Sequence, residues 1–479
     1  MDKSAPVTLE MVTSEIDRIF ELQQQNQYKV GNTTVKERRA KLKKLEKALM
    51  ETYKADIIQA GYDDFRKHEA EVMLTEIFPA ITAIRHTSKN LGKWMRDEKV
   101  ATPMAMFGFS SKIKYEPKGV VLIISPWNFA FNLSFIPLVA AIAAGNTVIL
   151  KPSENTPNSA RLIAKIINDL YDESEVAAIQ GGVPETTELL KKPFNHIFFT
   201  GAPSIGKVVM KAAAEHLTSV SLELGGKSPT IVDETADVAA AAERIAWAKS
   251  MNNGQICIAP DYVYVHESVK EKFVTEYKKA ITAMYGDNPK ENDSYNRIVN
   301  DRHFRRLSSY MEDAVERNAK IEMGGQMDEK ENYVAPTVVS NLGDDALLWR
   351  EEIFGPILPI RTFTDIKEPV GYIQKGEKPL GLYVYSKNQQ NIDYVNNNTR
   401  SGAIVVNYSA TQYSNPNLPF GGSNNSGIGK GNGIFGFKAF SNAKGVQNHW
   451  APIDGMKGFY PPYNKDKVGL IEKVVKWFA

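Results

Sequence analysis

A chain of 479 residues with a single cysteine cannot close a disulfide within itself, which suits a reducing compartment. Charge of neither sign is in surplus. The 58 Lys and Arg face 56 Asp and Glu, a net of +2, so there is no electrostatic footprint for nucleic acid or an acidic membrane. No apolar run is long enough to span a bilayer. The opening "MDKSAPVTLE" lacks the apolar stretch and cleavage site of a signal peptide. Internal repeats and low-complexity tracts are missing as well. These absences predict a cytoplasmic soluble protein. What is present is ordinary: 43% hydrophobic and 24% charged residues describe a globular chain. Its length exceeds what one core supports, so two or three domains are expected.

From about Leu9 to Asp97 the pattern is helical, with apolar residues at helical spacing among many charges. "TPMAMFGFSSKIKYEPKG" has no helical period and reads as a hairpin or arm. At Gly119 the texture changes. The apolar run "GVVLIIS", the turn "PWNFA", the small-residue helix "NLSFIPLVAAIAAG" and a second run "TVILKP" make a βαβ unit. The pattern recurs through "VAAIQGG", "HIFFTG" and "SVSLELGG". Strands buried on both faces and alternating with helices predict an α/β fold with a doubly wound parallel sheet. After Gly226 a second α/β region follows, with strands "SPTIV", "DYVYVH", "LPIRTF", "GLYVYS" and "GAIVVNY". From Leu418, Gly and Asn dominate and an ordered loop is expected. The closing stretch "KVGLIEKVVKWFA" puts Leu470, Ile471, Val474, Val475 and Phe478 on one helical face, expected to dock on the body rather than on a membrane.

The lone thiol lies in "NNGQICIAP", Asn252–Pro260. Ile256 and Ile258 fit a buried structural cysteine, whereas the preceding Asn, Gly and Gln residues fit an exposed reactive turn. Ligands of open α/β sheets bind beyond the carboxyl ends of the strands, and "PWN", "KPSE", "FTG" and "LELGG" lie at four such ends. Lys151 and Glu154, three residues apart, read as a ribose clamp or as a charged pair at a helix start. In "FTGAPSIG", Gly201 and Gly206 precede a helix, an arrangement that favours phosphate. Glu223, between leucines at a strand end, reads as a general base of raised proton affinity or as a paired carboxylate. Asn128 offers an amide to an oxyanion or forms the turn after Pro-Trp.

Taken together and in order, "PWNF", "KPSE", "FTG", "LELGGKSP", "NNGQIC", "EEIFGP" and "PFGG" resemble the NAD(P)-dependent aldehyde dehydrogenase superfamily, from about Ile113 to the C-terminus. "LPFGGSNNSGIGKGNGIFGFKAFS" and "FYPPY" are similar to its class 3 branch, whose members often oxidise aromatic or medium- to long-chain aliphatic aldehydes. The resemblance implies Cys257 as nucleophile, Glu223 as general base, and Asn128 with the Cys257 N–H as oxyanion hole. It implies Lys151, Glu154, Gly201, Gly206, Glu352 and Phe354 as contacts to NAD, with NADP as a second cofactor. Trp127 is counted with the cofactor contacts and, like Phe420, matches a position near the substrate tunnel. Ala202 departs from the serine of many relatives. No metal is assigned.

The implied organisation is a cofactor domain from residues 1–98 and 114–223, a catalytic domain 224–419, an oligomerisation arm from 99–113 and 440–450, and a tail 451–479. Members of the resembled branch are commonly dimers, so a homodimer is expected, its arm "TPMAMFGFSSKIKY" paired with "SNAKGVQNHW". Two other readings remain: an acyl-transferring relative that passes a thioester to coenzyme A, and a non-catalytic cofactor binder. Glu223 argues against the first, since acyl transfer needs no base for water. An intact Cys257, Glu223 and Asn128 argue against the second.

Overall fold

The computed structural model describes residues 9–452 and 456–478. The apolar runs are the strands they promise. Val120–Ile124 and Thr147–Lys151 are buried at every position, as expected of parallel strands covered by helices on both faces. With His196–Gly201, Val176–Ala178 and Ser219–Leu224 they form a parallel sheet, joined at its edge by the antiparallel pair Gly427–Ile428.

The helix between the first two strands, Asn132–Ala144, is apolar all round and almost wholly buried, so it sits in the core rather than on the surface. It ends at Gly145, whose φ of 92° needs no Cβ. The buried Arg38 donates to the Ala143 and Gly31 carbonyls there, supplying a cation to the negative end of the helix.

A second, seven-stranded sheet runs Lys320–Met323, Thr337–Ser340, Ile357–Phe363, Tyr262–His266, Pro229–Val232, Gly381–Tyr385, Ala403–Val406. Only its first strand is antiparallel. The parallel sheet and the second α/β region expected from the sequence are therefore both present.

The non-helical stretch after Asp97 becomes a three-stranded antiparallel sheet, Glu98–Val100, Phe109–Pro117 and Ser441–His449. Ser441 lies opposite Pro117 and His449 opposite Phe109 in the same chain. The last described helix, Lys465–Phe478, half-buries Ile471 and Val474. Val468, Leu470, Val475 and Trp477 stay exposed, so the expected docking is partial. The Phe478 side chain lies outside the described residues. No helix among the described residues is long and apolar enough to cross a membrane.

Candidate active site

Cys257 follows the helix Val238–Ser250 through a turn of unusual backbone. Asn252, Asn253 and Gly254 take φ of 48°, 50° and 68° in succession. Left-handed conformation costs a non-glycine residue about 1–2 kcal/mol and persists only where neighbours fix it. Here they do. Asn252 Nδ2 donates to the Asn128 carbonyl (2.9 Å) and to the Gln255 carbonyl (3.2 Å). Gln255 Nε2 donates to the carbonyls of Asn252 and Arg297, while its Oε1 accepts from Val299 N–H. The amides that the sequence offered as exposing the thiol are buried buttresses of its turn.

Two cavities meet at that turn. One, about 790 Å³, contains Trp127, Gly201, Glu352 and Phe354 in its walls. The other, about 170 Å³, has apolar walls that include Phe129, Trp247, Met251, Tyr413 and Phe420. Among the described residues, only Thr200, Glu223 and Cys257 line both. A group bound in either cavity therefore reaches the thiol and the carboxylate.

The electrostatics follow from burial. Desolvation pushes the Cys257 thiol up, and the carboxylates of Glu223 and Glu352 add to this, partly offset by the N–H groups of Cys257 and Ile258. Glu223 is pushed up to about 8 by burial, with Lys430 opposing. A glycine-rich strap holds it: Gly427 pairs opposite Glu223, and a Cβ on Gly431 would stand 2.8 Å from Glu223 Oε1. Lys430 itself donates to the carbonyls of Gly421 and Gly422. Asn128, buried, spends one Nδ2 hydrogen on the Gln255 carbonyl at 3.0 Å and retains the other.

The larger cavity fits a dinucleotide cofactor. Its volume lies in the range of cofactor sites. Burial pushes Glu352 up to about 7, and its Oε1 is buried with no partner in the protein, an acceptor awaiting a donor. Phe354 takes a φ of 47°, an outlier for a bulky residue. Its ring stands edge-on to Trp127 at 5.3 Å. Gly201, Ala202, Pro203 and Ser204 bring the start of the helix Pro203–Ala214 to the wall, and Ser204 supplies a hydroxyl beside Ala202.

Not every expected residue meets at this place. Trp127 lines the larger cavity and not the apolar one, so it stands apart from Phe420. Gly206 lines neither: it is buried within its helix, where a Cβ would come within 2.7 Å of the Leu224 side chain. Its lack of a side chain serves close helix–strand packing. Lys151, the last residue of the strand Thr147–Lys151, and Glu154 are ion-paired at 2.8 Å, outside both linings. Thr200, inside "FTG", carries no sign of a role in sequence, yet its hydroxyl is buried without a partner among the described residues. Leu74, Phe78, Trp247 and Met251 were also missed. Helical spacing in their segments signals only a packed face.

Residues 7–446 match the model of the aldehyde dehydrogenase family. The 4,4'-diaponeurosporen-aldehyde dehydrogenase of Staphylococcus aureus is 44% identical over 407 residues, covering 85% of this chain and 88% of that protein. The dimeric, NADP-preferring aldehyde dehydrogenase of Rattus norvegicus is 40% identical over 422 residues, covering 88% and 92%. The solved substrate-bound state of Staphylococcus aureus AldH superposes with a TM-score of 0.92 at 40% identity, covering 96% and 99%.

Proposed function

Since the chain belongs to the aldehyde dehydrogenase family and is an NAD(P)-dependent enzyme oxidising aldehydes to acids, we propose that Cys257 is its nucleophile, Glu223 its general base and Asn128 its oxyanion donor. The observation that carries this is the sharing of Cys257 and Glu223 by both cavities. An aldehyde in the apolar cavity and a cofactor in the larger one then flank the same sulfur.

The steps follow from the chemistry of these groups. The Cys257 thiol releases its proton to water, and sulfur adds to the carbonyl carbon as the carbonyl electrons move onto oxygen. The free Nδ2 hydrogen of Asn128 and the Cys257 N–H stabilise that oxyanion. Bound NAD(P) supplies the acceptor for the hydride released as the carbonyl re-forms, which leaves a thioester on Cys257. Glu223 takes a proton from water, the water oxygen adds to the thioester, and the C–S bond breaks to return the thiolate.

Glu352 and Phe354 are assigned to the nicotinamide ribose and ring, Trp127 and Gly201 to the same cavity, and Lys151 with Glu154 to the adenosine ribose. In this reading residues 1–98 and 114–223 hold the cofactor, and 224–419 carry the catalytic cysteine. The apolar walls, Phe420 among them, favour aromatic or medium- to long-chain aliphatic aldehydes. A cavity of about 170 Å³ is of the order that accepts a benzene ring. Its rim includes Leu74 and Phe78, both more than half exposed, an apolar lead-in for a longer chain.

The arm strands 99–113 and 440–450 are assigned to a homodimer. Among the described residues, Ser441–His449 is the free edge of its sheet. An unpaired nine-residue edge invites a partner strand.

Cys257→Ser tests the assignment. It should fold and bind NAD with little change while losing nearly all turnover with a panel of aromatic and aliphatic aldehydes. Turnover near that of the wild type would overturn it.

A further inference from the structure

Three charged side chains, Lys67, Glu71 and Glu76, come together behind the site, and none lines either cavity. Lys67 is almost fully buried, with its Nζ 4.8 Å from the ring centres of both Phe65 and Phe129 and 3.5 Å from Glu76 Oε1. Glu76 Oε2 accepts from the N–H groups of Phe131 (3.1 Å) and Asn132 (2.9 Å) at the head of the core helix. Glu71 is a half-buried residue whose carboxyl is nonetheless desolvated. Its Oε1 accepts from the Asn252 N–H and from Asn296 Nδ2, both at 2.8 Å. Burial raises both carboxyls and Lys67 opposes the rise in each. Buried charges of this kind are weak contributors to stability, which leaves open what they are for.

Their bonds lead to the reacting atoms from two sides. Glu71 fixes the backbone of Asn252, the first residue of the left-handed turn. The Asn252 side chain then ties the Asn128 carbonyl to the Gln255 carbonyl, two residues before the thiol. Asn296, the other donor to Glu71, accepts from Asn253 Nδ2 at 2.8 Å and so holds the second left-handed residue. Glu76 anchors Phe131 and Asn132, just beyond Asn128.

We propose that Glu71, held by Asn252 and Asn296, is a positioning residue that sets the Cys257 turn against Asn128 and so fixes the spacing of the oxyanion donors. This rests on Cys257 and Asn128 having the roles given above. Glu71 touches no substrate; it acts through Asn252 and Asn296. What matters is an acceptor at Oε1, since two donors converge on that one atom.

The test compares Glu71→Leu, which removes the acceptor, with Glu71→Gln, which keeps an Oε1. Single-turnover NADH formation is followed by stopped flow with enzyme in excess over aldehyde. The NAD dissociation constant and the Cys257 thiol titre are measured on the same samples. Misplacing reacting groups by an ångström costs about 10²-fold, so Glu71→Leu should slow hydride transfer by about that factor with NAD binding changed by less than about twofold. Glu71→Gln should restore the rate to within about threefold of wild type.

A Glu71→Leu rate equal to wild type overturns the proposal. So does a fall in amplitude alone, which would mean fewer folded molecules with an intact site. Should Glu71→Leu not fold, Glu71→Asp keeps a carboxyl but retracts the oxygen by one methylene. It should be slowed about tenfold, and a wild-type rate there overturns the role. Cys257→Ser run alongside separates the two readings. Turnover in it defeats the nucleophile assignment, whereas an inactive Cys257→Ser beside a fast Glu71→Leu defeats only the positioning role.

Discussion

Replacing Glu223 with glutamine should separate two things that this one carboxyl does. Buried between the cavities, it is pushed up to about 8. An unfolded chain gives the same group a pKa of about 4.3. Between those values the folded state holds a proton that the unfolded state has released, so stability falls as pH rises and levels off above about 8. Each unit is worth about 1.4 kcal/mol, which puts the loss from pH 6 to pH 8 at roughly 2–3 kcal/mol. Glu223→Gln keeps the shape and has nothing to ionise. Its melting temperature relative to wild type should therefore rise from pH 6 to pH 8 by about 2–3 °C in a chain of this size.

Kinetics should show the opposite cost. Where thioester hydrolysis limits turnover, wild-type kcat should climb about tenfold per pH unit below 8 and flatten above it. In Glu223→Gln that limb should vanish and steady-state turnover should drop by about 10²–10⁴-fold. A burst of about one NADH per site should remain, because the base is assigned to hydrolysis. The assays are stopped-flow absorbance and thermal melts of the cofactor-free protein across pH 6 to 9. A lost burst, a surviving limb in the variant, or a melting difference that ignores pH would each refute the reasoning.

Three further outcomes are expected. With one cysteine in the chain, a thiol reagent should inactivate at one label per protomer; activity surviving full labelling would contradict the nucleophile. In Glu154 burial raises the carboxyl, but the Lys151 ion pair outweighs it and keeps the group ionised at neutral pH. A 2′-phosphate would meet that charge, so kcat/KM should favour NAD over NADP by about tenfold, or ~1.4 kcal/mol, and Glu154→Gln should narrow the ratio; an unchanged ratio would remove Glu154 from the ribose site. Light scattering after gel filtration should report a homodimer, and a stable monomer would refute the role given to the Ser441–His449 edge.

Much of this architecture was legible because its signals are local. Val120–Ile124 and Thr147–Lys151 are unbroken apolar runs, and a strand buried on both faces has no other way to look. Cys257, Glu223 and Asn128 stood out as chemistry-bearing residues at strand ends or in turns. Readings that depended on what lies across space fared less well. Gly206 resembles a phosphate-turn glycine in sequence, but its missing Cβ makes room for Leu224. Trp127 was joined with Phe420, yet only folding shows that they face different cavities. Lys67, Glu71 and Glu76 fall among the many charges of the helical stretch and carry no local sign of burial. Their buried roles arise from partners as far off as Asn252 and Asn296, at separations no local pattern encodes. The apolar cavity is likewise assembled from Leu74, Phe129, Trp247 and Tyr413, which share no segment.

The claim at the centre is that the aldehyde carbon becomes bonded to the Cys257 sulfur and is freed by water activated at Glu223. Intact-protein and peptide mass spectrometry of Glu223→Gln, quenched in acid seconds after mixing with NAD and an aromatic aldehyde, tests it directly. The expected spectrum shows the whole chain heavier by the aldehyde less two hydrogens, with the added mass on the peptide containing Cys257 and none without NAD. Unmodified protein despite NADH formation, or the acyl mass on any other residue, would contradict it.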